Sequence, residues 1–322
     1  MTRIDRRTFV IAGFAGLVAA RAGAGESRSI PIIDTHIHLF DPNRPQGVPY
    51  AGPPNSPVGK TGAFPEIYQK LAEPAGIVGA IEIEASPWVE DNLWVLQVAE
   101  GSKFIVGKIG NLNPDSKDFN ELFDRFSKNP LFRGIRYGNI WGYDLPTKSR
   151  EPTFLTSLKR VADAGLVLDT ANQNIEMLEA AVRVSDAVPD LRIVLDHLPA
   201  FVAESEDVTR YVAVLNELRD RPQIYCKISA VIREIDGTIR RDLAPHKARL
   251  EQIYDAFGED RVLFGSDWPN SDGVAPFNEV VQIVKNFFAS KPRRAQEKYF
   301  WQNSVHAYKW VRRTQEQPTL AS

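Results

Sequence analysis

The chemistry of this chain begins with two imidazoles two residues apart. Asp34-Thr35-His36-Ile37-His38 follows directly on the apolar run Ile30-Pro31-Ile32-Ile33. In an extended strand, residues i and i+2 share a face, so His36 and His38 project together. Two imidazoles aimed at one point make either half of a metal site or a pair of partners for a developing oxyanion. A second segment, Phe264-Gly265-Ser266-Asp267-Trp268-Pro269, ends another apolar run on a carboxylate. Pro269 stops any ladder there, and Trp268 is expected to wall Asp267 with apolar surface that raises its basicity. Asp267 is therefore a candidate general base toward water or a metal ligand, the plainer role being a helix N-cap. A third segment, Leu195-Asp196-His197-Leu198-Pro199, puts His197 at the end of a further run. His36, His38, His197 and Asp267 form the expected catalytic group, and the same four are the expected ligands of any divalent metal.

Other run ends offer groups that could hold a substrate. Arg136 closes Phe132-Arg133-Gly134-Ile135-Arg136-Tyr137-Gly138 and can grip a carboxylate or carbonyl oxygen with two hydrogen bonds, whereas Arg133 alternates to the other face. Glu82 and Glu84 share one face of their run. Inward carboxylates require partners, so these two either pair with Lys108 or bind substrate hydroxyls. Lys108 and Lys227, each inside an apolar run, carry the same two readings. Trp88, Trp141, Tyr143 and Trp268 follow run ends and can stack on a substrate ring, with simple packing as the alternative for each. His246 lies within reach of the same end of the molecule, and His306 reads as structural.

These residues need a frame that brings run ends together. Eight runs rich in Ile, Val and Leu, at 30–34, 77–84, 104–110, 132–137, 166–170, 191–196, 223–229 and 261–265, have the look of buried parallel strands. Amphipathic stretches at 120–128, 154–164, 175–188, 208–220, 247–257 and 277–289 separate or follow them. That alternation predicts an α/β fold, a single-domain (β/α)8 TIM barrel over 30–312 with a tail at 313–322. A doubly wound open sheet is the competing frame, and it lacks its glycine-rich phosphate loop after the first run. In a barrel, the candidate residues all fall at the C-terminal face, where such folds keep their chemistry. The segment 41–62, with six prolines and four glycines, follows the first strand and reads as a lid or binding loop that could bring Tyr50 over the site. A charged loop at 234–245 lies on the same face.

Bulk properties exclude other classes. With 39 basic against 41 acidic residues, the chain carries no charge excess for tracking nucleic acid. Its one cysteine, Cys226, rules out an intrachain disulfide and zinc sites built on several cysteines. Its apolar surroundings point to a buried, inert thiol. Residues 1–25 carry Arg6-Arg7-Thr8-Phe9-Val10, a weakly apolar stretch and the small-residue site Ala22-Gly23-Ala24. This is the pattern of a twin-arginine export signal, so the mature protein is expected in the periplasm or secreted, without a stable membrane span. An exposed apolar face on a terminal helix around 299–310 would permit a homodimer.

The Asp34–His38 motif, the Asp196-His197 run end, Gly265–Pro269 and the late Asn303-Ser304 together resemble the amidohydrolase-related superfamily. The branch most similar is that of predicted metal-dependent hydrolases, including sugar-lactone and pyrone-dicarboxylate lactonases. The resemblance covers residues 30 to 312 and implies a hydrolase of a small cyclic ester. Asp267 would activate water, and His36, His38 and His197 would stabilise the oxyanion, directly or through one Zn²⁺. Metal-loaded members of the superfamily carry a further His or a modified Lys near the middle strands. Here that region reads Leu166-Val167-Leu168-Asp169-Thr170-Ala171-Asn172, without histidine. The branch also contains metal-independent members, in which His and Arg polarise the lactone carbonyl. Alternatives on the same scaffold are a metal-dependent decarboxylase or an amide hydrolase, and outside enzymes a noncatalytic periplasmic binding protein.

Overall fold

The computed structural model describes residues 29–320. Eight parallel strands follow one another around a sheet in the order β1 (Ile32–Ile37), β2 (Ile77–Ile83), β3 (Ile105–Gly110), β4 (Phe132–Arg136), β5 (Val167–Asp169), β6 (Arg192–Leu195), β7 (Ile224–Ile228) and β10 (Val262–Phe264). Each candidate run thus forms a strand, and nearly every strand residue is buried because both faces of the sheet are covered. β8 (Arg233–Ile235) and β9 (Thr238–Arg240) form a separate antiparallel hairpin in the charged loop after β7.

The sheet curls until β10 meets β1, and the seam is made by the residues that matter for chemistry. A parallel bridge joins Ile37 to Trp268. The amide of His38 donates to Trp268 O at 2.8 Å, and that of Asp267 to His36 O at 2.9 Å. Asp34 holds the same seam from behind. Its Oδ1 accepts from the amides of His36 and Ser266, and its Oδ2 accepts from the Tyr68 hydroxyl. Thr35 Oγ1 adds a bond to Phe264 O.

The helices form the outer layer: α1 (Pro65–Ala72), α2 (Asp91–Gly101), α3 (Phe119–Phe126), α4 (Leu145–Lys148), α5 (Pro152–Asp163), α6 (Ile175–Ala187), α7 (Val208–Arg219), α8 (Ala244–Phe257), α9 (Phe277–Phe288), α10 (Arg293–Glu297) and α11 (Asn303–Tyr308). Their buried residues recur at helical spacing, for example Phe119, Phe123 and Phe126 on α3. No helix of the described residues is long and apolar enough to cross a membrane.

The C-terminal segment plugs the end of the barrel opposite the site. Trp301, Tyr308 and Trp310 pack with Ile33, Val106, Val167, Val194 and Leu263. Arg133 Nε donates to Tyr308 O, Arg192 Nε to Ala307 O and Asn303 Nδ2 to Val262 O, all at strand starts. The apolar face around 299–310, expected to be exposed and available for a dimer, is therefore consumed inside the fold: Tyr299 and Tyr308 have no exposed surface. The described part of the expected tail, residues 313–320, packs back on the barrel. Arg313 donates to Ala99 O, Ser102 O and Ile105 O, and buried Gln317 bonds to Val78 O and Lys103 O. The proposed export signal at 1–25 lies outside the described residues.

Cys226 is fully buried, and burial pushes its thiol well above the usual range. Two outcomes follow. Ellman's reagent should count no thiol in native protein and one after unfolding in guanidinium. Asp34→Ala should lower stability by roughly 3 kcal/mol in urea titration, because two amides and one buried hydroxyl lose their acceptor.

Candidate active site

His36 and His38 end β1 and point into the barrel mouth, where Asp267 after β10 and His197 after β6 meet them. His36 Nε2 lies 3.2 Å from His38 Nε2 and 3.7 Å from Asp267 Oδ1. His38 Nε2 and His197 Nε2 lie 3.3 and 3.5 Å from the same oxygen. Asn270 Nδ2 donates to Oδ1 at 2.9 Å. The other nitrogens of the rings are anchored: His38 Nδ1 to Ile83 O at 2.9 Å, His197 Nδ1 to Ser229 Oγ at 2.7 Å, and His36 Nδ1 against Lys227 Nζ at 3.1 Å.

Two of these residues sit in backbone that L side chains rarely adopt. His197 has φ 49° and Asp267 φ 60°, and Asn172 and Ala230, after β5 and β7, are at 53° and 50°. Left-handed backbone at non-glycine residues costs on the order of 1 kcal/mol or more, and such strain clusters where function fixes a side chain's direction. It turns the side chains at successive strand ends toward the barrel axis.

Beneath the imidazoles lies a buried ionic network. Lys227 Nζ is 2.7 Å from Asp169 Oδ2 and 2.8 Å from Asp196 Oδ1, with all three side chains fully buried. Tyr308, from the plug, donates its hydroxyl to Asp169 Oδ2 at 2.9 Å. Asp196 also faces His36 Nδ1 at 3.5 Å and Arg136 Nε at 3.2 Å. Burial and repulsion from Asp196 raise the Asp169 carboxyl to about 7 against the pull of Lys227. Asp196 itself falls well below the carboxylate range, because Lys227, His36 and Arg136 outweigh its burial. Burial, reinforced by Lys227, lowers His36 far below the usual imidazole value, and burial lowers His197 too. Burial would raise Asp267, but the charges of His197 and His36 and a bond from His38 hold it below the carboxylate range.

The remaining expected residues divide. Glu82 and Lys108 pair with each other at 2.9 Å, wholly buried, so that neither is available to a substrate. Glu84 is also engaged, by Trp141 Nε1 at 3.0 Å and the Ser86 amide at 3.0 Å, and it faces Arg136 at 3.6 Å. Arg136 is thus held by Asp196 and Glu84 rather than open to the mouth. Trp268 is fully buried against Tyr68, ring centroids 5.2 Å apart, so it packs behind Asp267 and cannot stack on a substrate. Trp88 is 41% exposed and lines a small side pocket rather than the cavity at His197. His246 bonds through Nε2 to Arg240 O and does not reach the mouth. Tyr50 does arrive from the 41–62 loop, its ring edge-on to His38 at 6.4 Å. Burial and the Asp267 charge push its hydroxyl up to about 12.

Arg233 was not singled out by its position in the chain. It stands on β8 and lines a cavity of about 580 Å³ together with His197, Asp267, Asn172, Gln173 and Phe201. Its guanidinium has no acceptor among the described residues. Asp169 and Asp196 were visible as charges inside apolar runs, which is the signal that marks them as partnered.

The donor set also fits a metal. Among the described residues, His36, His38 and Asp267 bring ligand atoms within 4.8 Å of one another, as do His36, Asp196 and His197. Tetrahedral zinc with bonds of about 2.0–2.1 Å has donor–donor edges of about 3.3–3.4 Å. The four measured separations around Asp267 Oδ1 and His36 Nε2, 3.2 to 3.7 Å, bracket that value.

Comparison with known proteins agrees with this geometry. The family model described as Amidohydrolase matches residues 33–310. An L-fucono-1,5-lactonase from Burkholderia ambifaria is 26% identical over 216 residues, 64% of this chain and 70% of that one. The structure of an amidohydrolase from Burkholderia multivorans with bound zinc superposes with a TM-score of 0.76 at 22% identity, over 87% of this chain and 99% of that one. A putative 2-pyrone-4,6-dicarboxylic acid hydrolase from Pseudomonas putida gives a TM-score of 0.70 at 18% identity, over 87% and 98%. Titrating metal-free protein with Zn²⁺ in a calorimeter should give one site per chain, weakened at least about tenfold in His38→Ala.

Proposed function

Since the chain belongs to the amidohydrolase family, we propose that this hydrolase opens lactone rings by adding water across the cyclic ester. The observation that carries the reading is the convergence of three imidazole Nε2 atoms on one carboxylate at the floor of a wide, arginine-flanked cavity. The similarity to the L-fucono-1,5-lactonase supports the same reaction class.

Asp267 divides its labour between its oxygens. Oδ1 is held by Asn270 and faces the imidazoles, while Oδ2 accepts no hydrogen bond from the described residues. Oδ2 takes a proton from water as the water oxygen bonds to the lactone carbonyl carbon. The imidazoles of His36, His38 and His197 face the oxygen on which negative charge develops. A divalent metal, when held by His36, His38, His197 and Asp267, supplies Lewis acidity at that same point. Collapse breaks the ring C–O bond, and Asp267 returns its proton to the leaving alkoxide, so that lactone plus water gives a hydroxy acid. We assign substrate orientation to Arg233, whose guanidinium, without an acceptor among the described residues, can meet a carboxylate or carbonyl with two hydrogen bonds, while Arg136 holds Asp196 and Glu84 in place. Tyr50, from the 41–62 loop, stands edge-on beside His38. The Arg6-Arg7 leader supports action outside the cytoplasm.

Asp267→Asn should keep the wild-type fold by circular dichroism and lose at least about three orders of magnitude in kcat toward the best lactone of a panel. Near-wild-type turnover in that variant would remove Asp267 from the chemistry. Arg233→Ala should chiefly raise KM and leave kcat within about tenfold.

A further inference from the structure

A second cavity, of about 160 Å³, opens beside Asp267 and takes no part in the reaction just described. It shares Ala200, Ala230, Arg233 and Asp267 with the wide cavity, so the two meet at the catalytic carboxylate. Its walls are mainly aliphatic, Val231 and Ile232 from the segment after β7, Val274, and Val280, Ile283 and Val284 from α9, with Ser229, Asn270 and Ser271 as the further polar members. The three from α9 stand at i, i+3 and i+4, the inward face of that helix. Elsewhere the same face carries Phe277, Phe287 and Phe288, whereas here it carries the smaller Val280, Ile283 and Val284. Close-packed interiors seldom leave a void of this size, and an aliphatic cavity of roughly 150 Å³ stays dry and takes a benzene-sized ligand.

On the lactonase reading, we propose that this chamber is a substrate subsite for a hydrocarbon substituent of about four to six carbons on the lactone ring. A ring held with its carbonyl at Asp267 has one open direction toward Arg233 and another, lined chiefly by aliphatic side chains, toward Val280 and Ile283. A polyhydroxylated substituent would lose several hydrogen bonds to water there and find few in return, the Ser271 hydroxyl being one. An alkyl or aryl group has no such hydrogen bonds to lose and gains contact with the aliphatic wall. The preferred substrate class is thus an alkyl- or aryl-substituted γ- or δ-lactone rather than a sugar lactone.

The test is chain-length dependence of kcat/KM over γ-butyrolactone, γ-valerolactone, γ-octalactone, γ-decalactone and γ-dodecalactone, with galactono-1,4-lactone as the hydroxylated control. The expected result is a rise of about three- to fourfold per methylene up to a butyl or hexyl tail, then a plateau or fall. Val280→Phe, which fills the chamber, should flatten the series and leave γ-butyrolactone within about twofold of wild type. Val284→Ala, which enlarges it, should shift the optimum to a longer tail and serves if the first variant does not fold. Calorimetry with benzene gives a readout free of turnover: binding to wild type and none to Val280→Phe. Hydrolysis independent of tail length, or best with the sugar lactone, overturns the subsite and spares the lactonase reading. If no lactone is hydrolysed, benzene binding abolished by Val280→Phe keeps the chamber as a hydrocarbon site and overturns the lactonase reading alone. Absence of benzene binding overturns the chamber.

Discussion

Lys227 has no exposed surface, and an ammonium alone in such a place would cost several kcal/mol. Asp169 and Asp196 answer it, and neither carboxylate would be tolerable there without it. The arrangement is asymmetric. Asp196 also faces Arg136 and His36 and stays ionised, while Asp169 is the carboxylate lifted toward neutrality. The network therefore stands on three contacts that reach different parts of the barrel: the plug through Tyr308, β4 through Arg136, and the imidazole layer through His36. Removing one member leaves an unpaired buried charge in the others, so the floor of the site is fixed as a unit rather than residue by residue.

That unit is what lets the rim hold strained backbone. Strands β5, β6, β7 and β10 each hand over to a left-handed non-glycine residue, and two of these carry His197 and Asp267. Strain persists only where the surroundings over-determine it. Here the over-determination comes from Asp34, which binds both sides of the β10–β1 seam, and from the aromatic plug packed into the opposite end of the barrel. Stability and chemistry are thus divided between the two ends, and the charged layer joins them.

The four central residues and the barrel were legible because both leave local marks: a polar residue ending an apolar run, and eight such runs at helical intervals. What failed was inference that needed a distant neighbour. For Glu82 the pairing with Lys108 is one of the two expected readings, whereas the partner of Glu84, Trp141, lies on a distant loop that alternation does not reveal. Trp268 looked like a pocket wall because nothing nearby in the chain announces that Tyr68, two hundred residues earlier (Tyr68 to Trp268), covers it. The apolar terminal segment seemed free for the same reason, its partners being strand starts spread over the whole barrel. Arg233 lies in a hairpin whose path depends on turn geometry, which carries little pattern.

The donor set can exist with or without a metal because His36 faces different partners on its two nitrogens. A carbonyl only accepts, so His38 carries its proton on Nδ1 toward Ile83 O. With both rings neutral, His38 Nε2 is then an acceptor. An ammonium only donates, so Lys227 favours an unprotonated Nδ1 on His36 and a proton on Nε2, pointed at His38 Nε2 3.2 Å away. That leaves His38 Nε2 facing Asp267 Oδ1, 3.3 Å away, as acceptor to acceptor, a contact that a shared proton or a bound cation relieves. Ligation through Nε2 requires the other tautomer, with the Nδ1 proton directed at Asp196 instead. Lys227 and Asp196 therefore oppose each other at one nitrogen, and the balance between them, set beneath the site, decides whether the imidazoles face one another or a metal.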